Sequence, residues 1–155
     1  MSELLTHKFA MFFFWAFLDD KKAIENASSA FEIYKKRIQN NNYQNVECIS
    51  AIHKIWIKNS SGYVRSKSRI NASAGWKFKK QIDFSPWSIF LKTASPDEIE
   101  VVILAQILKF NTEDIAKALQ LSEGSIRYRI GKSLRKLGAS IESQDNSFDI
   151  QGFRR

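Results

Sequence analysis

The sequence predicts an all-α chain made of two small helical domains, the second a helix-turn-helix. Three observations carry that expectation. Apolar residues recur at spacings of three and four through most of the chain, the mark of helices with one buried face. Two prolines and six glycines in 155 residues leave few turn signals for a β protein. Residues 112–137, TEDIAKALQLSEGSIRYRIGKSLRKL, read as two periodic segments across a tight turn, the second of them basic.

In chain order, residues 4–18, LLTHKFAMFFFWAFL, are apolar enough to raise a membrane question. The run Phe9 to Leu18 is only ten residues, about half of what a spanning helix needs. Glu3 spoils a basic signal-peptide start, and Asp19, Asp20, Lys21 and Lys22 stand where a cleavage site would be. A buried helix is therefore expected. Asp19 and Asp20 can start a second helix with Ile24, Ala27, Phe31, Tyr34 and Ile38 on its inner face. It closes with Lys35, Lys36 and Arg37, whose charges suit the helix dipole. An Asn-rich loop, 39–45, leads to a third helix from Val46 to Lys58, which Asn59-Ser60-Ser61-Gly62 is expected to interrupt before a short basic helix over 63–70. Residues 71–87 read as a flexible basic linker.

The second domain is expected over 88–140. Ser95-Pro96-Asp97-Glu98 is a strong helix start, with Ser95 as N-cap, proline at the first helical position and Glu98 placed to complete a capping box. The helix that follows should bury Ile99, Val102, Ile103, Gln106 or Ile107, and Phe110. In the helix-turn-helix, Ile115, Ala116 and Leu119 face inward, Leu121 plugs the turn and Ser122 caps the second helix. That helix sets Ile126, Ile130, Leu134 and Leu137 on one stripe. Ser125, Tyr128, Lys132 and Arg135 lie opposite, flanked by Arg127, Arg129 and Lys136. Residues 141–155 read as a polar tail.

A net charge of +8 favours an anionic partner, and nucleic acid is the commonest. From Cys48 to Ile82 the chain has eight basic residues (Lys54, Lys58, Arg65, Lys67, Arg69, Lys77, Lys79 and Lys80) and no acidic one. Trp56, Tyr63, Trp76 and Phe78 lie among them, a mixture suited to neutralising phosphate and stacking on unpaired bases. Part of this window has a plainer reading: Trp56 belongs to a core, while Lys67, Arg69 and Lys77 sit on the surface. A single cysteine, Cys48, allows no internal disulfide and suits a reducing cytoplasm; its plain reading is a small buried side chain. No catalytic constellation, metal-ligand spacing or cofactor loop is recognisable. No enzyme, metal or cofactor is therefore expected.

The order of parts resembles the extracytoplasmic-function sigma factors of bacteria. The segment LKTASPDEIEVVILAQILKFNTEDIAKALQLSEGSIRYRIGKSLRKLG is similar to their region 4, with Asp114-Ile115-Ala116 and Gly124-Ser125-Ile126-Arg127-Tyr128-Arg129 in the characteristic places. FAMFFFWAFLDDKKAIENASSAFEIYKKRI resembles the first helices of region 2, and ISAIHKIWIKNSSGYVRSKSRI the helix that binds and melts the downstream promoter element. The resemblance implies a transcription initiation factor that binds double-stranded promoter DNA and associates with core RNA polymerase, and it leaves open an anti-sigma-type protein as a further partner. On that reading the DNA contacts fall to Ser125, Arg127, Tyr128, Arg129, Lys132, Arg135 and Lys136, with Lys58, Arg65, Lys67 and Arg69 near the opening site. Some residues depart from the pattern. Lys22, Ser28 and Ser29 stand where polymerase-docking acids and glutamines are expected. Gln120 occupies a turn position often held by glycine, at a cost of about 1 kcal/mol, and Gly131 falls inside the recognition helix at a cost of roughly 1 kcal/mol.

Two other readings remain open. One is a sigma-like adaptor or decoy that binds a protein partner. The other is an operator-binding regulator that dimerises through its N-terminal helices, motivated by the Phe-rich segment 9–17.

Overall fold

A computed structural model describes residues 3–39, 43–65 and 84–152. The described residues form seven α-helices and one π-helical turn, with no strand: α1 (Glu3–Phe17), α2 (Asp20–Ile38), α3 (Gln44–Arg65), α4 (Ser85–Thr93), α5 (Pro96–Val102), the π turn (Ile103–Ile107), α6 (Thr112–Leu119) and α7 (Glu123–Gly152). The all-α expectation holds.

Local chemistry sets the helix starts. The Lys22 amide donates to Asp19 Oδ1 at 3.0 Å, capping α2. Ser95 and Glu98 form the full capping box of α5: the Glu98 amide donates to Ser95 Oγ at 3.3 Å, and the Ser95 amide to Glu98 Oε1 at 2.9 Å. Asn111 caps α6 through the Asp114 amide at 2.8 Å. Ser122 caps α7 through the Ser125 amide at 3.1 Å.

The Phe-rich segment is core. Phe9, Phe12, Phe13, Phe14 and Phe17 are all buried, and their rings meet α2 and α3 edge-on or tilted. Phe9 lies 5.5 Å from Tyr34, Phe12 lies 5.8 Å from Trp56 and Phe17 lies 5.6 Å from Trp56. This takes away the motive for dimerisation through that segment. Trp56 is buried as expected, and Cys48 is a buried free thiol.

The same core continues into α4–α7. Trp87 Nε1 on α4 donates to the Trp15 carbonyl of α1 at 2.7 Å, and Trp56 Nε1 on α3 donates to the Pro96 carbonyl at 3.0 Å. Lys8 of α1 sits over the Phe110 ring at 4.2 Å. The N-terminal and C-terminal helices are thus packed on each other.

Several expectations need correction. Ile24 is 61% exposed, because α2 turns Ala23 inward in its place, along with Ala30 and the expected Tyr34. Residues 59–62 do not interrupt α3, which runs unbroken to Arg65. Helix α4 begins at Ser85, inside the stretch read as linker. The polar residues from Ile141 onward continue α7 to Gly152. The apolar run after Ser95 widens into the π turn, Gln106 points outward, and Phe110 is buried from the loop beyond it.

Candidate nucleic-acid interface

Helices α6 and α7 follow one another across a tight turn, with apolar inner edges at the spacing the sequence predicts. Ile115, Ala116, Leu119 and Ile126 are buried between them. The turn needs a left-handed residue, and Gln120 takes φ 57° and ψ 44°. The Leu121 amide reaches back to the Ala116 carbonyl at 3.0 Å, closing the end of α6 in a Schellman-type turn. Leu121 itself is half-buried against the core.

The outward face of α7 carries the candidate residues at its N-terminal end. Ser125, Arg127, Tyr128, Lys132 and Arg135 are exposed, and Tyr128 at 67% exposure is a large side chain held out to solvent. Tyr128, Arg129, Lys132 and Ser125 line a groove of about 470 Å³ against Ser95, Asp97 and Glu98 at the start of α5. A helix face rich in cations beside such a groove can neutralise phosphate and present donors to base edges.

Three of the basic candidates already have acidic neighbours. Lys136 Nζ donates to Glu98 Oε1 at 2.8 Å, tying α7 to α5. Burial alone would raise the Glu98 carboxyl, but the bonds from Lys136 and Ser95 outweigh it and hold it below its ordinary value. Arg129 lies 3.9 Å from Asp97, and Arg127 lies 3.5 Å from Glu123 one turn away, with both side chains well exposed. Lys132 and Arg135 remain with the hydroxyls of Ser125 and Tyr128 on the outward side.

The second group of candidates is only partly in view. Lys54 and Lys58 are exposed on α3, and Arg65 ends that helix. Lys67, Arg69, Lys77, Lys79 and Lys80 lie outside the described residues.

One polar feature has no trace in local sequence patterns. His53 on α3 sets its Nδ1 2.9 and 2.8 Å from the two carboxylate oxygens of Glu100 on α5. The hydrogen bond to Glu100 raises the His53 pKa against the opposing effect of burial. Burial in turn raises that of Glu100, whose side chain is only 1% exposed. The partners are 47 positions apart, so only the packing of α3 on α5 reveals them. Among the described residues, no group of three or more His, Cys, Asp or Glu could hold a metal, and no helix is long and apolar enough to cross a membrane.

No protein-family model matches the chain, and no curated protein matches it by sequence. Among solved structures it is similar to the sigma factor RpoE of Bartonella quintana, in the co-crystal structure with the anti-sigma factor NepR, with a TM-score of 0.67 over 90% of this chain and 92% of that one. The identity is 16%, so the likeness is one of fold.

Proposed function

We propose that a chain with this sigma-factor fold is a sigma-like transcription initiation factor of the extracytoplasmic-function type. Residues 88–138 read an upstream promoter element, and the basic window 54–80 engages DNA near the opening site. The observation that carries this reading is the exposed row Ser125, Tyr128, Lys132 and Arg135 on the capped helix that follows the α6–α7 turn, within a fold similar to a sigma factor along nearly its full length. Phosphate contacts come from the lysines and arginines around the groove, and base contacts from Ser125, Tyr128, Arg129 and Lys132. The protein acts in the cytoplasm, without cofactor or metal, by binding rather than by catalysis.

The reading treats 1–70 and 88–140 as two working halves on either side of a basic linker. Core RNA polymerase would be engaged by the N-terminal half, although Lys22, Ser28 and Ser29 replace docking groups there. The test is to mix purified protein with core RNA polymerase, separate the complex by gel filtration and ask whether it opens promoter DNA. Co-elution with opening is the expected result; DNA binding without polymerase would instead indicate an operator-binding regulator.

A second reading is favoured by the pairing of Lys136 with Glu98 and of Arg129 with Asp97. Cations held by the protein's own acids are less available to phosphate, which suits a sigma-like adaptor that binds an anti-sigma-type protein. Failure to bind polymerase and DNA, with saturable binding to such a partner, would select it.

A further inference from the structure

Helix α7 carries its candidate base readers on one arc. At 3.6 residues per turn Ser125, Tyr128, Arg129 and Lys132 span about 100° of its circumference, and all four line the groove beside the start of α5. Arg127 lies on the opposite side, beside Leu134 at 38% exposure. Arg129 is therefore the arginine of that groove, and a guanidinium is the side chain that can take both guanine acceptors, O6 and N7, at once.

The facing wall of the groove is acidic and fixed. Asp97 is the second residue of α5, and its two neighbours in the chain are tied down: the Pro96 carbonyl accepts from Trp56 of α3 at 3.0 Å, and Glu98 accepts from Lys136 of α7 at 2.8 Å. Ser95 and Glu98 complete the cap of α5, so the cap does not need the Asp97 side chain. That carboxylate instead stands with Oδ2 3.9 Å from Nη1 of Arg129. The separation is longer than a hydrogen bond. Among the described residues the guanidinium donors thus stay open to a ligand, while the Arg129 charge is drawn toward α5, where it acts also on the buried Glu100 one turn further on.

We infer that Asp97 is a positioning residue for the reading face: it holds Arg129 toward a base edge and turns phosphate away from it, raising sequence preference while lowering general DNA affinity. The inference rests on the proposed function, since it takes α7 as the reading helix. A phosphate carries a full negative charge and guanine O6 and N7 only partial ones, so a carboxylate beside the guanidinium penalises phosphate far more than the base. Without Asp97 the long Arg129 side chain is free to swing to the DNA backbone, where a contact carries no sequence information.

The test uses the full chain and two duplexes, one selected by the wild type from a pool of random sequence and one a scramble of it. Anisotropy titrations give the ratio of the two dissociation constants. Asp97 is well exposed, so its variants keep the fold. Asp97→Ala binds the scramble more tightly than the wild type does, yet its preference for the selected duplex falls by about fivefold or more, within the range of one bidentate contact. The loss falls at the same G·C pair where Arg129→Ala loses discrimination, and Asp97→Glu, which keeps the charge, restores most of the preference. Equal tightening on both duplexes would mean that Asp97 only repels phosphate, and equal weakening that it only supports the fold; either result overturns the inference and leaves α7 as the reading helix. A wild type that selects no sequence from the pool overturns the proposed function and this inference together.

Discussion

Replacing His53 by alanine strands a buried carboxylate. Glu100 is 1% exposed and His53 26% exposed, and removing one partner of a buried ion pair costs about 3–5 kcal/mol. The partial exposure of His53 places the expected loss near the lower end, about 3 kcal/mol at pH 6.5 or roughly two decades in the folding equilibrium. The loss should depend on pH with a definite sign. The His53 pKa is raised above 6.5 in the folded state, so its contribution is complete below that value and fades as pH rises through the raised one. The Glu100 pKa is raised above 4.5, so keeping its ionised form buried also destabilises the fold as pH rises. Without His53 that second effect stands alone and begins nearer pH 4.5. Urea denaturation of both proteins at about pH 4.5, 6.5 and 8 reads the difference. The gap should be widest near pH 6.5 and clearly smaller near pH 4.5, where Glu100 of the variant can take up a proton. A gap under about 0.5 kcal/mol, or one that does not change with pH, would refute the pairing.

Other outcomes follow from single sites. Gln120→Gly should relieve the left-handed backbone strain and raise stability by up to about 1 kcal/mol, read as an increased thermal midpoint. Ser95→Ala should cost about 1 kcal/mol by removing the α5 cap, read by the same melt. Cys48, whose thiol burial pushes up to about 12, should resist a thiol reagent in the native protein and react once denaturant is added. Arg129→Ala should weaken promoter binding by about 1–3 kcal/mol and relax preference at one base pair if its guanidinium makes a bidentate guanine contact; an unchanged anisotropy titration would remove Arg129 from the reading face.

What was legible in the sequence is what local chemistry decides. Asp19, Ser95 and Ser122 are caps because their oxygens meet amides three positions on, and the inner edge of α6 follows from the spacing of Ile115, Ala116 and Leu119. Choices between neighbouring positions were less legible. Ile24 and Ala23 are adjacent, and only the approach of α1 and α3 decides which faces inward. Leu134 fits the apolar stripe of α7 by spacing, yet the other helices do not reach far enough to cover it. Least legible were contacts between distant segments. His53 and Glu100 carry no local signal, and the fate of Lys136 depends on where the start of α5 comes to lie.

A sigma-like role stands or falls on initiation itself. The direct measurement is in vitro transcription by core RNA polymerase on a pool of promoter-bearing fragments, with and without this protein. Defined transcripts that require the protein, and that fall when Tyr128 and Lys132 are both replaced by alanine, are the predicted result. No protein-dependent transcript, together with absence of the protein from the polymerase fraction, would contradict it.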